Sequence, residues 1–159
     1  MHDVVRQAGE GTALDLSGSR VLIRVTAEET GGAFSVVELA VPPGFQAPPV
    51  SHRHLDVDWY GFVEAGEVAM ELDGHEKRIR AGGIVVVPRG VAFRWWNPSA
   101  EDGVRWHCTY TPGGFEQFFM KMFERLKDFG QAPTPAQMAA AAQSLWAEFQ
   151  VETVSKPGL

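Results

Sequence analysis

The order of hydrophobic and polar positions divides the chain into a strand-rich part and a helical tail. Through the first two thirds, short segments rich in β-branched and aromatic residues alternate with turn signals, among them Asp73-Gly74 between two strand-like segments. After this region the apolar residues recur with the three-and-four spacing of a helix face. The pattern predicts an all-β barrel or jelly roll over about 12–111, followed by helices at about 115–129 and 135–149.

Both predicted helices have a continuous apolar face. The first carries Phe115, Phe118, Phe119, Met122, Phe123 and Leu126 at helical spacing. The second begins at Thr134-Pro135, where Gln137 completes a capping box. Its apolar face comprises Met138, Ala142, Leu145, Trp146 and Phe149. We expect the phenylalanine stripe to be a core or dimer contact rather than part of a ligand site, with the helices covering the barrel or packing at a subunit interface.

Length and composition indicate one domain, covering 1–159, with an ordinary hydrophobic core. The chain has 159 residues, a net charge of −6 and a single cysteine, Cys108. The absence of a basic stripe argues against nucleic acid and anionic membrane surfaces as partners. No apolar run approaches the ~20 residues that span a bilayer, and the N-terminal residues show no secretion signal, so we expect a cytoplasmic protein.

Two histidines, His52 and His54, are the first candidates for chemistry. Side chains alternate along a strand, so residues at this spacing project from the same face. Their Cα atoms would lie roughly 6.5–7 Å apart, which lets both imidazoles reach one atom. The pair is therefore the possible beginning of a metal site.

The spacing of glycines and histidines resembles the cupin superfamily, and within it the small single-domain cupins called quercetin dioxygenase-like. The first cupin motif is matched by Gly44, His52, His54, Trp59 and Gly66. The second motif is matched at the same spacing by Gly82, Pro88, Gly90, Phe93 and Asn97. The segment 111–116 and the following helices also resemble that subgroup. The resemblance covers roughly residues 12–150 and implies an antiparallel β-barrel that commonly forms homodimers.

The resemblance also implies a metal site from which two ligands are missing. Metal-dependent cupins bind the ion with two histidines and a glutamate from the first motif and a histidine from the second. Here His52 and His54 keep their places, whereas Trp59 and Phe93 occupy the other two. Asp58, rotated inward by a bulge, or His107 could supply a third ligand. No cofactor is firmly predicted, and a divalent iron, nickel, manganese or zinc ion stays possible.

The two replacements predict an aromatic pocket beside the histidines. Trp59, Phe93 and Trp95 are expected to contact a substrate, together with His107. Gly61 shares the parity of Trp59 and is expected to leave room beside it. Such a pocket would suit a flat hydrophobic or aromatic molecule, for example a polyketide-like compound of secondary metabolism. The alternative is a barrel packed solid by these side chains.

These residues support three hypotheses of different class. The leading one is an enzyme without a firmly bound metal that cyclises, isomerises or dehydrates a small hydrophobic or aromatic metabolite. In it His52 or His54 acts as general acid or base and Asp58 orients the imidazole. The second is a metal-dependent dioxygenase that uses His52, His54 and a third ligand. The third is a cupin that binds a small molecule without changing it.

Overall fold

A computed structural model describes residues 3–16, 18–47, 50–129 and 133–154. Within these ranges the chain forms eleven strands: β1 (Thr12–Leu16), β2 (Ser19–Val25), β3 (Ser35–Val41), β4 (His52–His54), β5 (Asp58–Ala65), β6 (Glu67–Leu72), β7 (His75–Arg80), β8 (Ile84–Val87), β9 (Phe93–Trp96), β10 (Val104–Thr111) and β11 (Val151–Thr153). Two helices, α1 (Glu116–Lys127) and α2 (Pro135–Trp146), lie between β10 and β11.

The strands form two antiparallel sheets that enclose one hydrophobic core. The six-stranded sheet has the order β1-β2-β3-β10-β5-β8, and the five-stranded sheet has the order β11-β4-β9-β6-β7. Inward side chains of both sheets belong to the same buried cluster. The predicted fold class, an antiparallel barrel or jelly roll with two C-terminal helices, is confirmed.

Alternation along the strands sorts side chains between the interior and the outer surface. In β10, Trp106 and Cys108 are fully buried, whereas the intervening His107 is directed outward. In β3, Val37 and Leu39 are buried on either side of the outward Glu38. Because the period of a strand is two, every inward position in this barrel is flanked by outward ones. This alternation decides below which candidate residues reach the cavity.

Two turns depend on backbone conformations that side chains disfavour. Asp73 and Gly74 both have positive φ, 45° and 82°, as the predicted hairpin between β6 and β7 requires. Gly66 has φ 83°, and a Cβ there would stand 2.5 Å from the carbonyl oxygen of Gly103. The glycine of the first motif is therefore required by both conformation and space.

The helical tail is attached to the barrel by a buried carboxylate and by a strand. Glu116, at the start of α1, accepts hydrogen bonds from the backbone N–H groups of Ala27 (2.8 Å) and Gly114 (2.9 Å). At the other end, β11 pairs antiparallel with β4. The sequence did not predict β11, because three residues are too few for periodicity to detect. Among the residues described, no helix is long and apolar enough to cross a membrane.

Candidate functional site

A cavity of about 690 Å³ lies between the two sheets and the helical tail. That volume is in the range of small-molecule sites in proteins. The barrel side is lined mainly by aromatic and aliphatic side chains, together with Ser19, His52 and His54. The tail contributes one wall, which includes Phe115, Phe118, Phe119, Met122, Met138, Ala142 and Trp146. The barrel is thus not packed solid, and the alternative of a filled interior is wrong.

The two histidines share one face of the short strand β4. His52 and His54 are buried, with 7% and 4% of their surface exposed, and both line the cavity. Arg53 between them points to the opposite side, where it pairs with Glu152. On one side β4 is joined to β9 only at the pair His52↔Phe93, but β11 pairs with all three of its residues. Most of the strand pairing that holds β4 in place therefore comes from β11.

Hydrogen bonding fixes the tautomer of His52. Its Nδ1 lies 3.1 Å from the carbonyl oxygen of Val50. A carbonyl only accepts hydrogen bonds, so Nδ1 carries the proton and Nε2 of the neutral ring keeps its lone pair. In contrast, Nδ1 of His54 is buried and has no hydrogen-bond partner. His52 therefore offers a proton acceptor with a fixed orientation.

Burial keeps both imidazoles uncharged near neutral pH. It lowers the pKa of His52, an effect partly offset by the hydrogen bond to the Val50 carbonyl. It lowers the pKa of His54 further, to about 3, and the neighbouring His52 acts in the same direction. A neutral imidazole can accept a proton but has none to donate as a cation. The site is therefore prepared for a general base rather than for a cationic acid.

Aromatic rings surround the histidines closely. The His52 ring centre lies 4.4 Å from that of Phe93 and 4.9 Å from that of Trp146, with which it stacks. The His54 ring centre lies 4.5 Å from that of Phe115. Trp59 in turn lies 5.0 Å from Phe93, centre to centre. Trp59 and Phe93 thus lie beside the histidines on the cavity wall. The resemblance implies that they occupy the positions of two metal ligands in metal-dependent cupins.

The space beside Gly61 is taken by protein. A Cβ at this position would lie 2.5 Å from the indole of Trp106, which packs directly against the glycine. Trp106 also meets the ring of Trp95 edge-on at 4.9 Å, and Trp95 lines the cavity as predicted. The expectation that Gly61 leaves room for a ligand is therefore wrong, because a neighbouring strand fills that room with a tryptophan.

Asp58 does not reach the histidines. It precedes the inward Trp59 on β5, so alternation directs it outward, and no bulge reverses it. Its carboxylate accepts three hydrogen bonds from Arg89: from the backbone N–H, from Nε and from a terminal guanidinium nitrogen. These contacts lower the pKa of Asp58 to about 2. The prediction that Asp58 orients an imidazole or ligates a metal is wrong, since the side chain is exposed on the other face of the strand.

His107 also lies on the outer face. Its Nε2 is 3.0 Å from Oε2 of Glu38, which in turn pairs with Arg24 at 3.1 Å. The neighbouring Trp106 and Cys108 take the inward positions of β10. The prediction that His107 contacts the substrate, or completes a metal site, is wrong for this geometric reason.

The donor set does not fit a divalent metal. His52 and His54 converge on the cavity, but both proposed third ligands face away from it. Across the described ranges, no group of three or more His, Cys, Asp or Glu side chains is placed to hold an ion. Catalytic zinc uses three protein ligands, and non-haem iron uses two histidines and a carboxylate. Two imidazoles without a carboxylate fall short of either arrangement.

Several cavity residues were not identified from sequence. The phenylalanine stripe of α1 belongs to the hydrophobic core, as expected, and three of its members, Phe115, Phe118 and Phe119, also line the cavity. Tyr110 and Cys108 face it from β10, and burial raises the pKa of both groups, so both stay protonated. Parity along β10 could have indicated the last two. The sequence left open whether the helices cover the barrel or pack at a subunit interface, because a helical apolar face does not tell which surface it covers.

These features define a class: a β-barrel with an internal cavity lined largely by aromatic side chains. Residues 37–110 match the family model of the cupin domain. The chain has the cupin fold, and the match supports its place in the cupin superfamily. The "Oryzines biosynthesis cluster protein J" of Aspergillus oryzae is 45% identical over 57 residues. That match covers 36% of this chain and 31% of the relative, about a third of either.

Solved structures show the same fold at low sequence identity. KdgF from Halomonas sp. superposes with a TM-score of 0.61 at 18% identity, covering 74% of this chain and 99% of that one. An RmlC-like cupin from Shewanella frigidimarina gives 0.60 at 18% identity, covering 73% and 96%. PAC13 from Streptomyces, a nucleoside dehydratase solved with uridine, gives 0.56 at 15% identity, covering 74% and 88%.

Proposed function

We propose that the protein is an enzyme that acts on a hydrophobic or aromatic metabolite by proton transfer within the barrel, as a cyclase, isomerase or dehydratase. One observation carries the proposal: two neutral imidazoles, one with a fixed free Nε2, stand in the wall of an aromatic cavity. Non-polar surface and stacking would hold the ligand, and the imidazole would supply the base. The relative from a biosynthesis cluster is compatible with a role in secondary metabolism.

The proposed chemistry needs one base. His52 Nε2 removes a proton from a carbon next to a ligand carbonyl, and the electron pair of that C–H bond forms an enolate. The imidazolium then returns the proton to another carbon, which is isomerisation, or to a departing hydroxyl, which leaves as water. In a cyclisation the enolate carbon attacks a second carbonyl, and the new alkoxide takes the proton. The proton moves only between ligand and imidazole, so the net charge of the site stays zero.

The positions of Asp58 and His107 argue against the metal-dependent dioxygenase hypothesis. Both candidate third ligands lie on the outer face of the barrel, away from His52 and His54. The hypothesis of a binding protein uses the same cavity. It differs from the proposal only in predicting that the bound molecule is not converted. A homodimer stays a prediction. Part of the apolar helix face that the expectation cites lines the cavity.

Product analysis separates these functions in one experiment. The purified protein is incubated aerobically with neutral aromatic ketones and hydroxyketones, including tetralones, anthrones and flavanones, and the mixtures are analysed by liquid chromatography and mass spectrometry. An isomer with the same mass, or loss of one water, supports the proposal. Gain of oxygen atoms indicates a dioxygenase, and binding without any new product indicates a binding protein. Either result overturns the proposal.

His52→Gln tests the role of the base. Glutamine has a similar reach but no titratable nitrogen, so we expect kcat to fall about 10²–10⁴-fold with little change in ligand affinity. His75→Gln is the matched control, because His75 is exposed at the β6–β7 hairpin. Turnover that survives in His52→Gln at the wild-type rate would remove His52 from the mechanism. Elemental analysis of the same preparations tests for a metal that depends on the histidines.

A further inference from the structure

Among the residues that the structure describes, no charged side chain lines the cavity. Its described lining consists of aliphatic, aromatic, glycine and proline residues together with a few uncharged polar ones: Ser19, Gln46, His52, His54, Cys108 and Tyr110. No aspartate, glutamate, lysine or arginine is among them. Burial also lowers the pKa of both histidines, so neither supplies a positive charge near neutral pH.

Three charged residues that neighbour cavity residues along the strands form ion pairs on the outer face. Arg53, between the two histidines, pairs with Glu152. Glu38, next to the cavity residue Leu39 on β3, pairs with Arg24. Arg94, between Phe93 and Trp95, pairs with Glu71 at 2.8 Å. The alternation that directs aromatic rings inward therefore directs the neighbouring charges away from the ligand.

We propose that the cavity selects the electrically neutral form of its ligand and rejects carboxylates and phosphates of the same shape. This inference rests on the proposed function, since it names the charge class of the same ligand. A buried ion without a partner loses its hydration and gains no counter-ion, whereas a hydroxyl or carbonyl needs only a hydrogen-bond partner. Partners for such groups are present in His52 Nε2, the Tyr110 hydroxyl and Ser19.

A matched pair of probes gives the expected size of the effect. 2-Naphthoic acid and its amide have nearly the same shape, but the acid ionises with a pKa of about 4. If only the un-ionised form binds, the apparent Kd equals the intrinsic Kd divided by the un-ionised fraction. At pH 7 that fraction is about one in a thousand, so the acid should bind roughly 1000-fold more weakly than the amide. The Kd of the acid should rise about tenfold per pH unit between pH 5 and 8.

Isothermal titration calorimetry with the full-length protein measures both probes across this pH range. The amide reports any pH dependence of the protein itself, so the ratio of the two Kd values isolates the ligand charge. Met138→Lys then adds a cation to the cavity wall on α2. We expect it to strengthen binding of the ionised acid at pH 7 about tenfold or more, and to leave the amide less affected. Met120→Lys is the matched control, since Met120 is 37% exposed on α1 and outside the cavity lining.

The outcomes separate this inference from the proposed function. Amide binding with a Kd for the acid that rises with pH supports both. Equal binding of acid and amide at pH 7 overturns the neutral-ligand inference and leaves the aromatic ligand site intact. If neither probe binds at millimolar concentration, the aromatic ligand site and the inference drawn from it are both overturned. The wild-type pH series decides between these results even if Met138→Lys fails to fold.

Discussion

Burial of the His54 imidazole makes folding stability sensitive to acid, and replacing His54 by leucine tests this. The ring is 4% exposed, its Nδ1 has no partner, and the surroundings are aromatic. Burial therefore lowers the pKa of His54 in the folded state to about 3, against 6.5 as its ordinary value. Below pH 6.5 the unfolded chain binds a proton at His54 that the folded protein does not bind.

The sign and the size follow from this difference. The unfolded state binds more protons between pH 6.5 and about 3, so stability is full above pH 6.5 and falls as the pH falls. One such histidine changes the free energy of unfolding by about 1.4 kcal/mol per pH unit. Acidification from pH 7.5 to 4.5 should therefore cost about 3 kcal/mol through His54 alone, a large part of the stability of a domain of this size.

The assay is urea denaturation of wild type and His54→Leu at half-unit pH steps from 7.5 to 4.5. Leucine suits the apolar surroundings and does not titrate. In the variant, the free energy of unfolding should therefore change with pH less steeply, by the amount that one bound proton contributes. His75→Leu at the exposed hairpin is the control and should keep the wild-type slope. The carboxylates of Glu29 and Asp58, whose pKa values are lowered to about 2, lose their contribution mainly below this range. Parallel curves for wild type and His54→Leu would refute the reasoning.

Three further changes test the structure around the site. Gly61→Ala places a Cβ 2.5 Å from the Trp106 indole, so we expect about 1–3 kcal/mol of destabilisation and a shifted tryptophan emission. Glu116→Gln leaves one oxygen to accept the two backbone hydrogen bonds, so one buried N–H loses its acceptor, and we expect a cost of about 1–3 kcal/mol. Glu124→Gln on the exposed face of α1 should cost little, and thermal denaturation compares the two variants. Truncation after residue 150 removes β11, which pairs with the histidine strand β4, so binding of the amide probe should weaken at least tenfold. Circular dichroism should still show the remaining sheets. Unchanged stability or binding in any of these three variants would contradict the packing described.

The elements were largely predictable because each one leaves a local signal. The hairpin at Asp73-Gly74, the glycine at position 66 and the capping box at Thr134 each follow from a short-range backbone requirement. Helix α1 follows from the spacing of its phenylalanines. Even the parity of His52 and His54 is local, since two side chains on one strand share a face whatever surrounds them.

The residues that failed as predictions did so because their roles depend on distant parts of the chain. Asp58 is held by Arg89 and His107 by Glu38, and neither pairing can be seen in the neighbouring sequence. The absence of a side chain at Gly61 suggests free space, but Trp106 of another strand occupies it. Each case is a contact between residues far apart in the chain.

By itself the sequence determined an antiparallel barrel with a helical tail, two histidines on one strand face and aromatic residues near them. Only the tertiary structure decided that the phenylalanines of α1 close a cavity, that β11 supports the histidine strand and that no third metal ligand joins His52 and His54 within the described residues. The physical reason is that periodicity and turns are properties of residues close together in the chain. Burial depends on contacts between residues that are far apart in the chain. The depressed pKa values that make these histidines neutral exist only after the chain has packed around them.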